Sequence, residues 1–100
     1  MLGNKTATLL AVIEQGNFTK AAEVLAMTQP AVSHHIKLLE DEVGSPIFVR
    51  GKNGLKLTRQ GEIVAKYARR LKSLNEKMYM ELENSRKRLS VLRVGITHTS

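Results

Sequence analysis

The side chains whose types could do chemistry gather in two runs: Thr28-Gln29-Pro30 with Ser33, His34 and Lys37, then Arg50 and Lys52 with Lys56 and Thr58. Neither run is a catalytic set. The chain has no cysteine, which removes thiolate catalysis, disulfides and thiolate metal sites. It offers no nucleophile paired with a base, no cluster of carboxylates and no glycine-rich phosphate cradle. His34 and His35 are adjacent, and neighbours on a helix diverge by about 100°. No carboxylate or third histidine stands at ligand spacing from them. No enzyme activity, cofactor or metal is therefore expected. Amides, hydroxyls and cations in this pattern suit a different task. An amide can grip the edge of adenine through two hydrogen bonds, and hydroxyls and cations hold phosphates.

The surrounding sequence supplies a helical frame for the first run. Residues 4–15 read as one helix, with Leu9 and Ile13 on a shared face, Leu10 and Val12 beside them and Gly16 as the stop. Thr19 is expected to cap a short second helix over 20–26, whose Ala21, Ala22 and Leu25 form a close-packing face. Thr28 caps a third helix, with Pro30 tolerated in its first turn, that runs to about Glu42 and ends at Gly44. On it Val32, Ile36, Leu39 and Val43 share an apolar face, whereas Gln29, Pro30, Ser33, His34 and Lys37 project away from it. His35 borders the apolar face and is expected to pack at its rim. Glu40, Asp41 and Glu42 all lie at the C-terminal end, so the first two turns carry no negative charge. A helix entering the major groove by its N-terminus needs that arrangement, because its dipole and free N–H groups also favour phosphate.

Two short helices leading into a capped third form the helix-turn-helix layout. Ile47-Phe48-Val49 and Leu55-Lys56-Leu57 then read as strands flanking Gly51-Lys52-Asn53-Gly54, a hairpin signal. A basic hairpin in this place is a wing. Its cations would also suit a plain solvated hairpin; their coincidence with a wing favours phosphate contact by Arg50 and Lys52. Thr58 is first the N-cap of the next helix and second a phosphate contact. Thr28 is likewise a cap first. Ser33 either bonds back to the preceding turn or meets DNA. Gln29 is the strongest base reader, and His34 can donate or accept, gaining attraction for phosphate when protonated.

Bulk properties agree with a small helical head. One hundred residues make one modest core, and 42% apolar with 4% aromatic residues means a core of Leu, Val, Ile and Ala. The formal charge of +7 is unevenly spread. Residues 1–49 hold three Lys against five acids, whereas 50–58 hold three cations and no acid, and 59–88 hold nine cations against four acids. Charge alone thus does not place a nucleic-acid site in the front half. No apolar run approaches the roughly 20 residues of a membrane span, and the apolar part of the start is too short for a secretory signal.

From Thr58 the pattern becomes one long helix over 59–88, about 45 Å at 1.5 Å per residue. Val64, Tyr67, Leu71, Leu74 and Met78 recur at alternating steps of three and four, a coiled-coil seam. A head of this size cannot cover so long a stripe, so a partner helix is expected. Met78 and Met80 need no cofactor. The alternation of residues 91–97 reads as a strand, opening a further unit at 89–100 that the chain does not continue.

The run from Gly16 to Glu62 resembles the signature of LysR-type transcriptional regulators. The resemblance extends over about residues 5–88 and is carried by Ala21-Ala22, Thr28-Gln29-Pro30-Ala31, Ser33, Ile36, Leu39-Glu40, Gly44, Phe48, Arg50, Leu57-Thr58 and Gly61. It implies a mostly α winged helix-turn-helix (1–58) with a two-stranded wing, followed by a long linker helix (59–88). That helix would dimerise antiparallel, placing two heads at opposite ends on paired half-sites of double-stranded DNA. Residues 89–100 would begin an effector-binding domain, the only place for a small-molecule effector. The setting implied is the bacterial cytoplasm, at the nucleoid. His34 and His35 depart from the family, in which many members carry Arg and a polar amide there; the base read at that position is left open. A different class of function, a winged helix docking proteins rather than duplex DNA, draws on the acidic Glu40-Asp41-Glu42 and predicts no salt-dependent duplex binding. A membrane-surface helix over 59–88 is opposed by a narrow stripe lacking Trp and Phe.

Overall fold

The computed structural model describes the backbone of residues 4–99 and the side chains of residues 5–88. The elements run α1 (Asn4–Gln15), α2 (Phe18–Leu25), α3 (Gln29–Val43), β1 (Phe48–Gly51), β2 (Gly54–Leu57) and α4 (Arg59–Thr99). The expected fold class, a helix-turn-helix with a two-stranded wing and a long final helix, is the one found.

α1 turns Thr8, Leu9 and Val12 fully inward, while Ile13 is only half-buried. Gly16 ends it with φ of 79°, its N–H donating to the Val12 carbonyl at 2.8 Å. α2 is capped by Asn17, not by Thr19. The Asn17 backbone is extended, and its side-chain carbonyl accepts the Lys20 N–H at 2.6 Å. The earlier start places Phe18 edge-on to Phe48 of the wing, with ring centroids 6.0 Å apart. Both residues pack on the core. Ala21 and Ala22 are buried, so α1 and α3 approach α2 closely.

α3 carries Val32, Ile36 and Leu39 into the core. Val43, expected on the same face, is 45% exposed. It is the last residue of the helix, and Lys5 in the first turn of α1 already meets Glu42, so α1 extends little beyond that level. Gly44 closes the helix at φ of 74°.

The wing is one antiparallel pair with Phe48 opposite Leu57 and Gly51 opposite Gly54, leaving Lys52 and Asn53 as its tip. β1 starts at Phe48, one residue later than expected. Ile47 is instead a core residue with no exposed surface, and its carbonyl accepts the Thr58 N–H at 2.9 Å.

α4 rests on the head through small residues. Gly61, Ala65 and Ala68 share one face and are all buried. A Cβ on Gly61 would lie 2.1 Å from the Ile47 carbonyl oxygen, so only glycine allows this approach. Val64, expected in the inter-helix seam, is partly buried against the head's own core. α4 continues through the run 91–97, where a strand was expected, so the backbone there is helical instead; the side chains of residues 89–100 lie outside those described. Among the described residues no helix is long and apolar enough to cross a membrane.

Candidate nucleic-acid interface

The first two turns of α3 present the predicted reading face. Thr28, extended at φ −80° and ψ 154°, accepts the Ala31 N–H on its hydroxyl oxygen at 3.2 Å. Its cap role uses a lone pair and leaves the O–H proton available to a phosphate. Gln29, Pro30, His34 and Lys37 are exposed, and Ser33 is half-buried beside them. His35 turns the other way, its Nδ1 lying 2.8 Å from Thr8 Oγ1 at the α1–α3 contact.

Two of the three acids at the far end of α3 have partners in the head. Glu40 accepts the Ile47 N–H at 2.8 Å, holding the loop that leads into the wing. Glu42 pairs with Lys5 of α1. The reading face is therefore flanked by cations and neutral groups, while two of three nearby carboxylates serve the head itself.

Arg50 and Lys52 stand exposed near the wing tip. They line a cleft of about 420 Å³ shared with Asn17, Phe18 and Thr19 at the start of α2. The start of α2 and two cations thus line one concavity. Arg50 and Lys52 are legible in the sequence as wing residues, but their meeting with Asn17 and Thr19 is not. The Asn-Phe-Thr cap pattern was the available signal, and the Phe18–Phe48 contact that brings the pieces together has no local signature.

Thr58 is committed inside the fold. Its hydroxyl oxygen accepts the Gly61 N–H at 2.8 Å and its proton is directed to the Pro46 carbonyl at 2.6 Å. No hydroxyl proton is left for a phosphate, so of its two expected roles the geometry favours the cap. On α4, Tyr67, Leu71 and Leu74 are each more than half exposed, and Met78 is half-buried. Lys66 and Arg70 lie over the Tyr67 ring at 5.4 and 5.2 Å from its centroid. Among the described residues no group of three or more His, Cys, Asp or Glu could hold a metal ion.

These features define a winged helix-turn-helix with a basic wing and a long partly uncovered helix. Residues 4–62 match the family described as bacterial regulatory helix-turn-helix protein, lysR family, and the chain belongs to that family. It is 38% identical over 96 residues to the probable HTH-type transcriptional regulator LrrA of Synechococcus elongatus, covering 90% of this chain and 33% of that protein. It is 40% identical over 74 residues to a probable RuBisCO transcriptional regulator of Cyanidioschyzon merolae, covering 74% of this chain and 24% of that protein. The chain thus spans about a third or less of these relatives. Among solved structures, the BenM DNA-binding domain in complex with catB site 1 DNA superposes with a TM-score of 0.76 at 34% identity, covering 80% of this chain and 90% of that one. The family is one of transcription regulators, not enzymes.

Proposed function

We propose that this chain is the DNA-binding part of a bacterial transcription regulator that docks on paired half-sites as a dimer, in the cytoplasm. α3 enters the major groove by its N-terminal turns, with Gln29, Ser33 and His34 towards base edges and Thr28, Pro30 and Lys37 along the groove wall. Arg50 and Lys52 hold the sugar-phosphate backbone, with the wing reaching towards the minor groove. Thr58 contributes by capping α4 and anchoring the wing's exit. Tyr67, Leu71, Leu74 and Met78 face a second copy, and Val64 sits where the seam meets the head. A small-molecule effector would act on a domain beyond residue 88.

The observation that carries this reading is the division of α3: exposed neutral and basic groups on its first turns, and at its end Glu40 bonded to the Ile47 N–H and surface Glu42 paired with Lys5. The same observation gives two of the three acids on which the protein-docking alternative draws, Glu40 and Glu42, a partner in the head. DNA-bound relatives with the same head support the assignment of partner.

The deciding experiment is a titration of the purified chain onto duplex DNA across a range of salt, followed by footprinting on genomic fragments. Affinity should fall steeply as salt rises, because phosphate contacts release counterions. Footprints should come in pairs about one or two helical turns apart. No duplex binding at low salt would overturn the reading.

A further inference from the structure

Thr8 is the one polar side chain buried in the head among the described residues, at 1% exposure, flanked by Leu9 and Val12 on the core face of α1. A hydroxyl enclosed at such a place is unfavourable unless hydrogen-bonded, and valine has nearly the same shape. Thr8 Oγ1 lies 2.8 Å from Nδ1 of His35, the residue next to the exposed His34. We propose that this hydrogen bond sets the roll of α3 on the head, making His35 a positioning residue for base reading although it does not face the groove.

Direction separates this bond from the rest of the α3 contact. Val32, Ile36 and Leu39 hold α3 by apolar burial, which is non-directional and tolerates a small rotation or slide. Two other side-chain contacts tie α3 to the head, Lys5 to Glu42 and Glu40 to the Ile47 N–H, and both sit in its last turn. Among the described residues, Thr8–His35 is the side-chain contact that acts beside the reading residues, one and two positions from His34 and Ser33. A hydrogen bond with a narrow range of distance and angle fixes what apolar packing leaves loose. Helix positions are about 100° apart, so even a small roll re-aims Gln29, Ser33 and His34 together.

The proposal rests on α3 being the element that enters the groove. Its test uses a duplex recovered by selection from a randomised pool and a scrambled duplex of equal composition, both titrated at fixed salt. Thr8→Val and His35→Leu should each lower the selected-to-scrambled affinity ratio by roughly tenfold, about one hydrogen bond's net worth. Binding to the scrambled duplex should stay unchanged. The double variant should lose no more than Thr8→Val alone, because that substitution already removes the bond to His35. His35→Asn, whose amide takes the place of Nδ1, should restore the ratio, a rescue that a generic packing role would not give. If Thr8→Val does not fold, His35→Leu against His35→Asn decides alone. An unchanged ratio in the variants, or a His35→Asn as poor as His35→Leu, would overturn the proposal. Failure of the groove reading itself looks different: Gln29→Ala would then leave the same ratio untouched in an otherwise wild-type chain.

Discussion

The backbone of Gly61 passes so close to Ile47 that a methyl group on it would lie 2.1 Å from the Ile47 carbonyl oxygen. The oxygen is held in place, since it also accepts the Thr58 N–H at 2.9 Å. Gly61→Ala must therefore displace α4 from the wing's base rather than move a flexible side chain. Such overpacking typically costs about 1–3 kcal/mol. For a domain of this size each kcal/mol lowers the melting temperature by about 4–8 °C. Thermal melts at one fixed protein concentration should show that drop. An unchanged melting temperature would mean that α4 does not rest on Ile47 in solution.

Arg50 and Lys52 flank the same cleft as the start of α2. If they hold phosphates, removing either weakens binding to every duplex alike. Arg50→Ala and Lys52→Ala should each flatten the dependence of log affinity on log salt by roughly one unit per lost contact. Fluorescence titrations of selected and scrambled duplexes at several salt concentrations give both slopes. A changed base preference with an unchanged slope would make the wing a reader instead.

The third helix was legible because its signals are local: Thr28 before Pro30, Gly44 at the end, and Val32, Ile36 and Leu39 at helical spacing. The cap of α2 was not. Asn17 and Thr19 are both capping residues two positions apart, and the start at Asn17 goes with a Phe18–Phe48 contact across the fold that local sequence does not reveal. The contact that Gly61, Ala65 and Ala68 make with the head was not legible for a related reason. In a periodic stripe the large residues Val64, Tyr67 and Leu71 dominate, yet the head contact is made where side chains are small and backbones can approach. Of the candidate site, the exposed face of α3 could be read from spacing alone. The Thr8–His35 pairing could not, since nothing in either local sequence names its partner.

Tyr67, Leu71 and Leu74 leave an apolar stripe uncovered by the head. A second helix covering it should give a dimer at micromolar protein by analytical ultracentrifugation. Leu71→Lys with Leu74→Lys places two cations in the middle of that seam, where desolvating them is costly. The pair should yield folded monomers, with helical content of the head retained by circular dichroism. A double variant that stays dimeric would move the interface elsewhere.

Gln29 is the first residue of α3, exposed, and directly follows the Thr28 cap, whose hydroxyl oxygen accepts the Ala31 N–H. An amide there can make the paired contact that distinguishes adenine, worth about 1–3 kcal/mol of discrimination. Scrambled DNA is bound chiefly through phosphates, which an uncharged amide barely influences. Gln29→Ala should therefore weaken binding to the selected duplex by that amount and leave scrambled binding almost unchanged, with the salt slope the same on both. The Thr28 cap is untouched by the substitution, so the melting temperature should move little. Paired titrations of wild type and variant at fixed salt measure the two losses directly. Equal losses on both duplexes would mean that Gln29 only seats the helix, and that sequence is read by Ser33 and His34 or through the shape of the DNA.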